Sequence, residues 1–204
     1  MKALIIVDIQ NDFLPGGALA VPQGHEIIPL INRLQPCFDL VVATQDWHPA
    51  THGSFASAHQ GKAAFTMHEL GGMPQMLWPD HCVSQTMGAQ LADTLDQALI
   101  ESVFRKGTHP EIDSYSAFYD NGKQKSTGLA DYLKGKGITR VFVCGLAADY
   151  CVAYTAEDAL DEGFKTFIVE DATRYIDAET FNNAKEKLHL KGVRFITSAN
   201  ILED

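Results

Sequence analysis

Cys151 is the residue whose surroundings most suggest a nucleophile. Arg140 to Cys144 is a short run rich in β-branched and aromatic residues, which reads as a buried strand. Gly145 breaks it, and from Asp149 the apolar residues recur at helical spacing, at Val152, Ala156, Ala159 and Leu160. The spacing predicts Cys151 in the first turn of a helix, just after a sharp strand-to-helix turn. Free backbone N–H groups and the positive end of the helix dipole lie there, and both favour the thiolate, the form that attacks carbon. Taken alone, a cysteine at such a position is more often a small apolar filler. Three other strand ends supply its company: Asp8 after Ala3–Val7, Asp46 with His48 after Leu40–Thr44, and Lys106 closing Glu101–Lys106. Asp8 has a plain alternative as a turn cap, Lys106 as a solvated strand end, and Asp46 to His48 as a capped turn. An acid, a metal-capable pair, a base and a thiol at four successive strand ends form a chemical set rather than four accidents.

Asp46 and His48 stand two residues apart, so on an extended chain they project to one side and one ion takes both. His81, in the stiff segment Trp78-Pro-Asp-His-Cys82, is placed to return to the same spot. A set of two histidines and an aspartate with open positions suits Zn²⁺ first, with Fe²⁺ or Mn²⁺ as alternatives. His52, four residues after His48, is either a fourth ligand or a group that orients a ligand or a bound water. His59, His68 and His109 lie in polar loops and are read as surface residues. Cys144 reads as buried and inert, Cys37 as core or partly exposed, and Cys82 as packing beneath the His81 turn.

These strand ends need a scaffold, and the chain supplies one by alternation. Strands are predicted at Ala3–Val7, Leu40–Thr44, Glu101–Lys106, Arg140–Cys144, Lys165–Asp171 and Val193–Thr197. Helices are predicted at Ile27–Leu34, Gly88–Leu99, Leu129–Lys136, Asp149–Leu160 and Glu179–Leu190. Gln45 to Cys82 reads as one long irregular connection, which inside a compact domain is usually functional. The alternation implies an α/β fold, a doubly wound parallel sheet with helices on both faces, and ligands bind such sheets beyond the carboxyl ends of the strands. At 204 residues the chain fits one domain spanning 1–204. A formal charge of −10 argues against nucleic acid or an anionic membrane as a partner. Four cysteines make no disulfide framework, and the N-terminus shows no signal pattern, so a reducing, cytoplasmic setting is expected.

The segments Val7-Asp-Ile-Gln-Asn-Asp-Phe13, Gln45-Asp-Trp-His48, Trp78-Pro-Asp-His-Cys82, Lys106-Gly107, Asp113-Ser-Tyr-Ser-Ala-Phe118 and Gly145-Leu-Ala-Ala-Asp-Tyr-Cys151 together resemble the nicotinamidase/pyrazinamidase group of the isochorismatase-like cysteine hydrolases. The likeness covers nearly the whole chain, in the family's order. It implies a three-layer α/β/α, Rossmann-like fold with a six-stranded parallel sheet, and hydrolysis of nicotinamide to nicotinate and ammonia in NAD salvage. It also implies an Asp8–Lys106–Cys151 triad, one divalent ion held by Asp46, His48 and His81, and a cis peptide bond between Leu146 and Ala147. The family varies in what completes the metal shell, which leaves His52 open. The expected partner is a small-molecule amide, handled by a monomer or small homo-oligomer.

The chemistry fits those residue types. An unactivated amide needs a strong nucleophile, protonation of the departing amine and stabilisation of an oxyanion. Cys151 would form a thioester, Asp8 would carry the proton, and Lys106 would hold Asp8 and favour the thiolate. Backbone N–H groups of Ala147 and Cys151 are candidates for the oxyanion hole. The metal would bind the ring nitrogen, and Phe13, Trp78 and Tyr115 are aromatic candidates to wall a flat ring, though each is equally a core type. An isochorismatase or a carbamoyl amidohydrolase would share Asp8 and Lys106 without calling for Asp46, His48 and His81. A redox or metal sensor would want a resolving cysteine beside Cys151, and the sequence has none there.

Overall fold

Strand sequences apolar at every position require cover on both sides, and the computed structural model, which describes residues 1–203, provides it. In chain order the elements are β1 (Lys2–Val7), α1 (Ile28–Leu34), β2 (Leu40–Asp46), β3 (Met67–Leu70), β4 (Met73–Met76), β5 (Ile100–Lys106), α2 (Leu129–Gly135), β6 (Arg140–Leu146), α3 (Ala153–Asp161), β7 (Lys165–Arg174), α4 (Ala178–Lys191), β8 (Arg194–Ile196) and α5 (Ala199–Leu202). Six strands pair in parallel in the order β5-β2-β1-β6-β7-β8. Side chains alternate between faces. Leu4, Ile6, Val41, Ala43, Phe142 and Cys144 pack with Ile28, Ile31 and Leu34 of α1. Ala3, Ile5, Val7, Val42, Val141 and Val143 pack with Leu129 and Leu133 of α2, Ala156 of α3 and Leu188 of α4. The chain winds outward from β1 through β2 to β5, returns to β6 on the other side of β1, and winds outward again. The crevice where the winding reverses lies between β1 and β6, at their carboxyl ends.

The sequence expectation for the α/β/α architecture and all six sheet strands agrees with this structure; four segments differ from it. No helix forms over Gly88–Leu99. Its apolar residues Leu91, Ala92 and Leu95 are buried at helical spacing, but the backbone bonds elsewhere: Ala92 N–H donates to Ile9 O at 2.9 Å, and Asp96 caps a turn by accepting from Ala98 N–H at 2.9 Å. Tertiary contacts with the segment after β1 thus override the period. The connection from Gln45 to Cys82 holds an antiparallel hairpin, β3–β4, turning at Gly71-Gly72 with both glycines at positive φ. Residues Ala148–Val152 form a wide π-type turn ahead of α3 rather than its first α-helical turn. The chain also adds a short helix, α5, after β8.

Candidate active site

The turn after β6 is built around Gly145. Its φ is 109°, and a Cβ there would stand 2.0 Å from the carbonyl oxygen of Val7 on the neighbouring strand, so only glycine lets β6 pass. Beyond it the Leu146–Ala147 peptide is cis, as the resemblance implies. The π-type turn then carries Cys151 into the crevice, 7% exposed. Its electrostatics correct the sequence expectation. Burial comes first, and it pushes the thiol well above its ordinary pKa; Lys106 pulls the other way, while the charges of Asp8 and Asp46 hold the proton on sulfur. At rest the group is a thiol, and any help from the helix start is outweighed.

Lys106, at the end of β5 and 2% exposed, ties the strand ends together. Its Nζ lies 2.8 Å from Asp8 Oδ2, 2.5 Å from Asp46 Oδ1, 3.0 Å from Ser114 O and 3.3 Å from Cys151 Sγ. Burial alone would lower its pKa, but Asp46, Asp8 and Cys151 raise it well above that of an ordinary lysine, so it stays charged. The two aspartates are driven apart. Burial, against the pull of Lys106, raises Asp8, with Asp46 adding to the rise. Burial is overcome at Asp46 by Lys106, His48 and His81, and its pKa is lowered. Asp46 is therefore the permanent carboxylate and Asp8 the one suited to exchanging a proton. Thr44 Oγ donates to Asp8 Oδ1 at 2.6 Å, whereas Asp8 Oδ2 meets Lys106 only as an ion pair, with no donor aligned on it as a hydrogen bond.

Asp46 also faces the histidines. Its Oδ2 is 3.7 Å from His48 Nε2 and 3.9 Å from His81 Nε2, and the three side chains offer ligand atoms within 4.8 Å of one another. The opposite nitrogens are engaged: His48 Nδ1 donates to Gly107 O at 2.9 Å and His81 Nδ1 to Pro79 O at 2.8 Å. Such bonds to carbonyls fix the tautomer that leaves a lone pair on each Nε2, the form a metal requires. The donor set fits a divalent ion of the zinc or iron type. Gly107 is forced here, at φ 64° with a notional Cβ only 2.3 Å from His48 Cε1. His52 differs. Its Nδ1 lies 2.7 Å from Ser54 Oγ and 3.2 Å from the Ser54 backbone N–H, and its buried Nε2 has no hydrogen-bond partner among the described residues. Burial, then His48, lowers this imidazole to about 4.

A cavity of about 30 Å³ opens above these groups, lined by Cys151, Asp46, His81 and Ala147 and by Phe13, Trp78 and Tyr115. All ten residues singled out from the sequence (Asp8, Phe13, Asp46, His48, Trp78, His81, Lys106, Tyr115, Ala147 and Cys151) thus meet at one end of the sheet. Phe13 lies against His81 at 5.6 Å between ring centroids, and Trp78 stands edge-on to Tyr150 at 4.9 Å. Leu19, Asp113, Tyr150 and Ile176 also line the cavity and carried no signal of their own, although Asp113 and Tyr150 lie inside the recognised segments. Thr44 and Gln10 act from below; Gln10 grips the Asp46 backbone, donating to its carbonyl and accepting from its N–H, both at 2.8 Å. Of the histidines read as surface residues, His59 and His68 instead pair their rings at 4.3 Å, and His59 Nε2 bonds Gly53 O at 2.7 Å. Cys144 and Cys82 are buried, and burial raises both thiols.

The family model for the isochorismatase domain matches residues 2–200, the whole of this parallel sheet with helices α1 to α4. The chain belongs to the isochorismatase-like hydrolases, in their nicotinamidase/pyrazinamidase group. It is 49% identical over 201 residues to the nicotinamidase of Acinetobacter baylyi, covering 98% of this chain and 94% of that one. Among solved structures it is similar to a nicotinamidase/pyrazinamidase of Acinetobacter baumanii, at 46% identity and a TM-score of 0.95 over 98% of this chain and 97% of the other. A protein of L. infantum solved in complex with nicotinate matches at 40% identity and a TM-score of 0.86, over 98% and 93% of the two chains. The pyrazinamidase of Pyrococcus horikoshii, solved in complex with zinc, matches at 38% and 0.79, over 96% and 98%.

Proposed function

We propose that this protein hydrolyses nicotinamide, and pyrazinamide with it, to the carboxylic acid and ammonia, as a step of NAD salvage in the cytoplasm. The observation that carries the reading is the single buried ammonium of Lys106 touching Asp8, Asp46 and Cys151 at the floor of an aromatic cavity. The names of the relatives and the nicotinate and zinc found in the solved neighbours support the substrate and the metal.

Residues 1–204 act as one catalytic domain in this account. Since Cys151 rests as a thiol with Asp8 within 4.8 Å, attack and proton transfer are coupled. Sγ bonds to the carboxamide carbon as Asp8 takes the thiol proton, and the carbonyl π pair moves to oxygen, where the N–H groups of Ala147 and Cys151 receive it. When the C–N bond breaks, Asp8 gives its proton to the departing nitrogen, which leaves as ammonia. Asp8 then takes a proton from water as that water adds to the thioester, and returns it to sulfur as the C–S bond breaks. Lys106 keeps its proton throughout and holds both carboxylates in register. Phe13, Trp78 and Tyr115 wall the ring. Asp46, His48 and His81 would hold one divalent ion, Zn²⁺ before Fe²⁺ or Mn²⁺, with His52 outside the ligand set. When bound, that ion supplies a Lewis-acidic seat for the ring nitrogen. Ammonia released from nicotinamide by the purified protein supports this function; none released, with folded and metal-loaded protein, refutes it.

A further inference from the structure

Gln75 has no part in the reaction just described. From residue 67 to residue 76 it alone is buried, at 4% exposure. The β3–β4 hairpin that carries it pairs with no strand of the main sheet, and β4 leads directly through Leu77 to Trp78 in the cavity wall. Gln75 Nε2 lies 2.8 Å from Met76 O, 2.9 Å from Asp113 Oδ2 and 3.0 Å from the Tyr115 hydroxyl oxygen. A carbonyl and a carboxylate only accept, so the amide nitrogen, and not its oxygen, faces them. Trp78 Nε1, which only donates, lies 3.2 Å from the same Tyr115 oxygen. Trp78 Nε1 donates to that oxygen, and Gln75, whose two N–H hydrogens serve three acceptors, shares one of them with it; the phenol's own proton is left for another partner, and among the described residues no acceptor is bonded to it. Burial first, then the charge of Asp113, raises Tyr115 well above an ordinary phenol, so the proton stays in place. The same tyrosine lines the cavity over Cys151.

We propose that Gln75 is a positioning residue: donating to Tyr115 beside Trp78, it turns the tyrosine hydroxyl proton into the cavity to bond an oxygen or nitrogen acceptor of the bound amide. The proposal rests on the hydrolase reading above. Gln75 acts through Tyr115 and touches no reacting atom, so its loss weakens binding of ground state and transition state alike. It also makes the hairpin part of the binding site.

The test uses Gln75→Met, which keeps the length and removes the donor, Tyr115→Phe, which removes the hydroxyl, and the double variant. Each single change is expected to raise KM for nicotinamide about fivefold to tenfold, the worth of one hydrogen bond, with kcat within about twofold. The double variant is expected to lose no more than Tyr115→Phe alone, because both changes remove one interaction. An unchanged KM in Tyr115→Phe overturns the proposal whether or not Gln75→Met folds well. A double variant whose KM rises by the product of the single effects overturns it too, as does a Gln75→Met protein that loses only thermal stability. Wild-type protein that releases no ammonia removes the hydrolase reading, and this proposal with it.

Discussion

At single residues, reactivity turns on where one proton sits. Cys151 lies beside a cation, yet burial first and then the charges of two carboxylates keep its thiol protonated, so reactivity depends on Asp8 rather than on a standing thiolate. Asp8→Asn is therefore expected to slow alkylation of Cys151 at neutral pH and to abolish amide hydrolysis nearly as fully as loss of the thiol, because the three groups act as a unit. Lys106→Ala, which leaves two buried carboxylates without their cation, is expected to be as damaging. Unchanged alkylation in Asp8→Asn, followed by mass spectrometry, would show that another base controls the thiol. The pH profile gives a second check. Asp8 must be ionised to accept the proton, and its pKa is raised above the ordinary 3.8. Activity is thus present above the raised value and lost as pH falls through it, so the acid limb of kcat/KM is expected above pH 3.8. A limb at or below that point would contradict the role given to Asp8.

Secondary-structure elements deliver these groups through strand ends and two forced glycines. Gly107, just past β5, gives its carbonyl to His48 and leaves no room for a side chain. Gly107→Ala is expected to displace the His48 ring and cost about 10–100-fold in metal affinity or nicotinamide hydrolysis, as losses of a ligand's supporting partner do. Metal content and turnover measured on the folded variant check this; wild-type values for both would mean the ring is not held there. The same elements mark what the sequence discloses and what it withholds. β1, β2, β6 and β7 are legible because burial on both faces forces apolar runs, and Asp8, Asp46 and Cys151 are legible because each stands at the end of such a run or in the turn after it. The segment from 88 to 99 misleads because Leu91, Ala92 and Leu95 are spaced as in a helix while Ile9 claims the backbone bond. The hairpin is hidden because its strands are four residues each and largely exposed, although Gly71-Gly72 is a hairpin turn signal. Gln10 and Thr44 sit inside a motif and a predicted strand without showing a role, and Gln75 carries no pattern; only tertiary contact reveals what they do.

Across the whole molecule, one crevice joins two sets of groups. Asp46 reaches Lys106 with one oxygen and the histidines with the other, so one carboxylate links the lysine that touches Cys151 to the histidine pair. If the ion seats the ring nitrogen, chelation is expected to impair nicotinamide far more than benzamide, which has no such nitrogen. Equal proportional losses for the two amides, with metal content assayed alongside, would contradict that division of labour. The described chain contains no helix long and apolar enough to cross a membrane, and its charge of −10 agrees with a small neutral substrate better than with a polyanion. The central claim is that this architecture exists to aim one thiol at an amide carbon. The most direct measurement is ammonia release from nicotinamide by wild type and by Cys151→Ala, with folding of the variant verified by circular dichroism. The account predicts turnover by the first and none above the blank by the second; substantial turnover by a folded Cys151→Ala protein would contradict it.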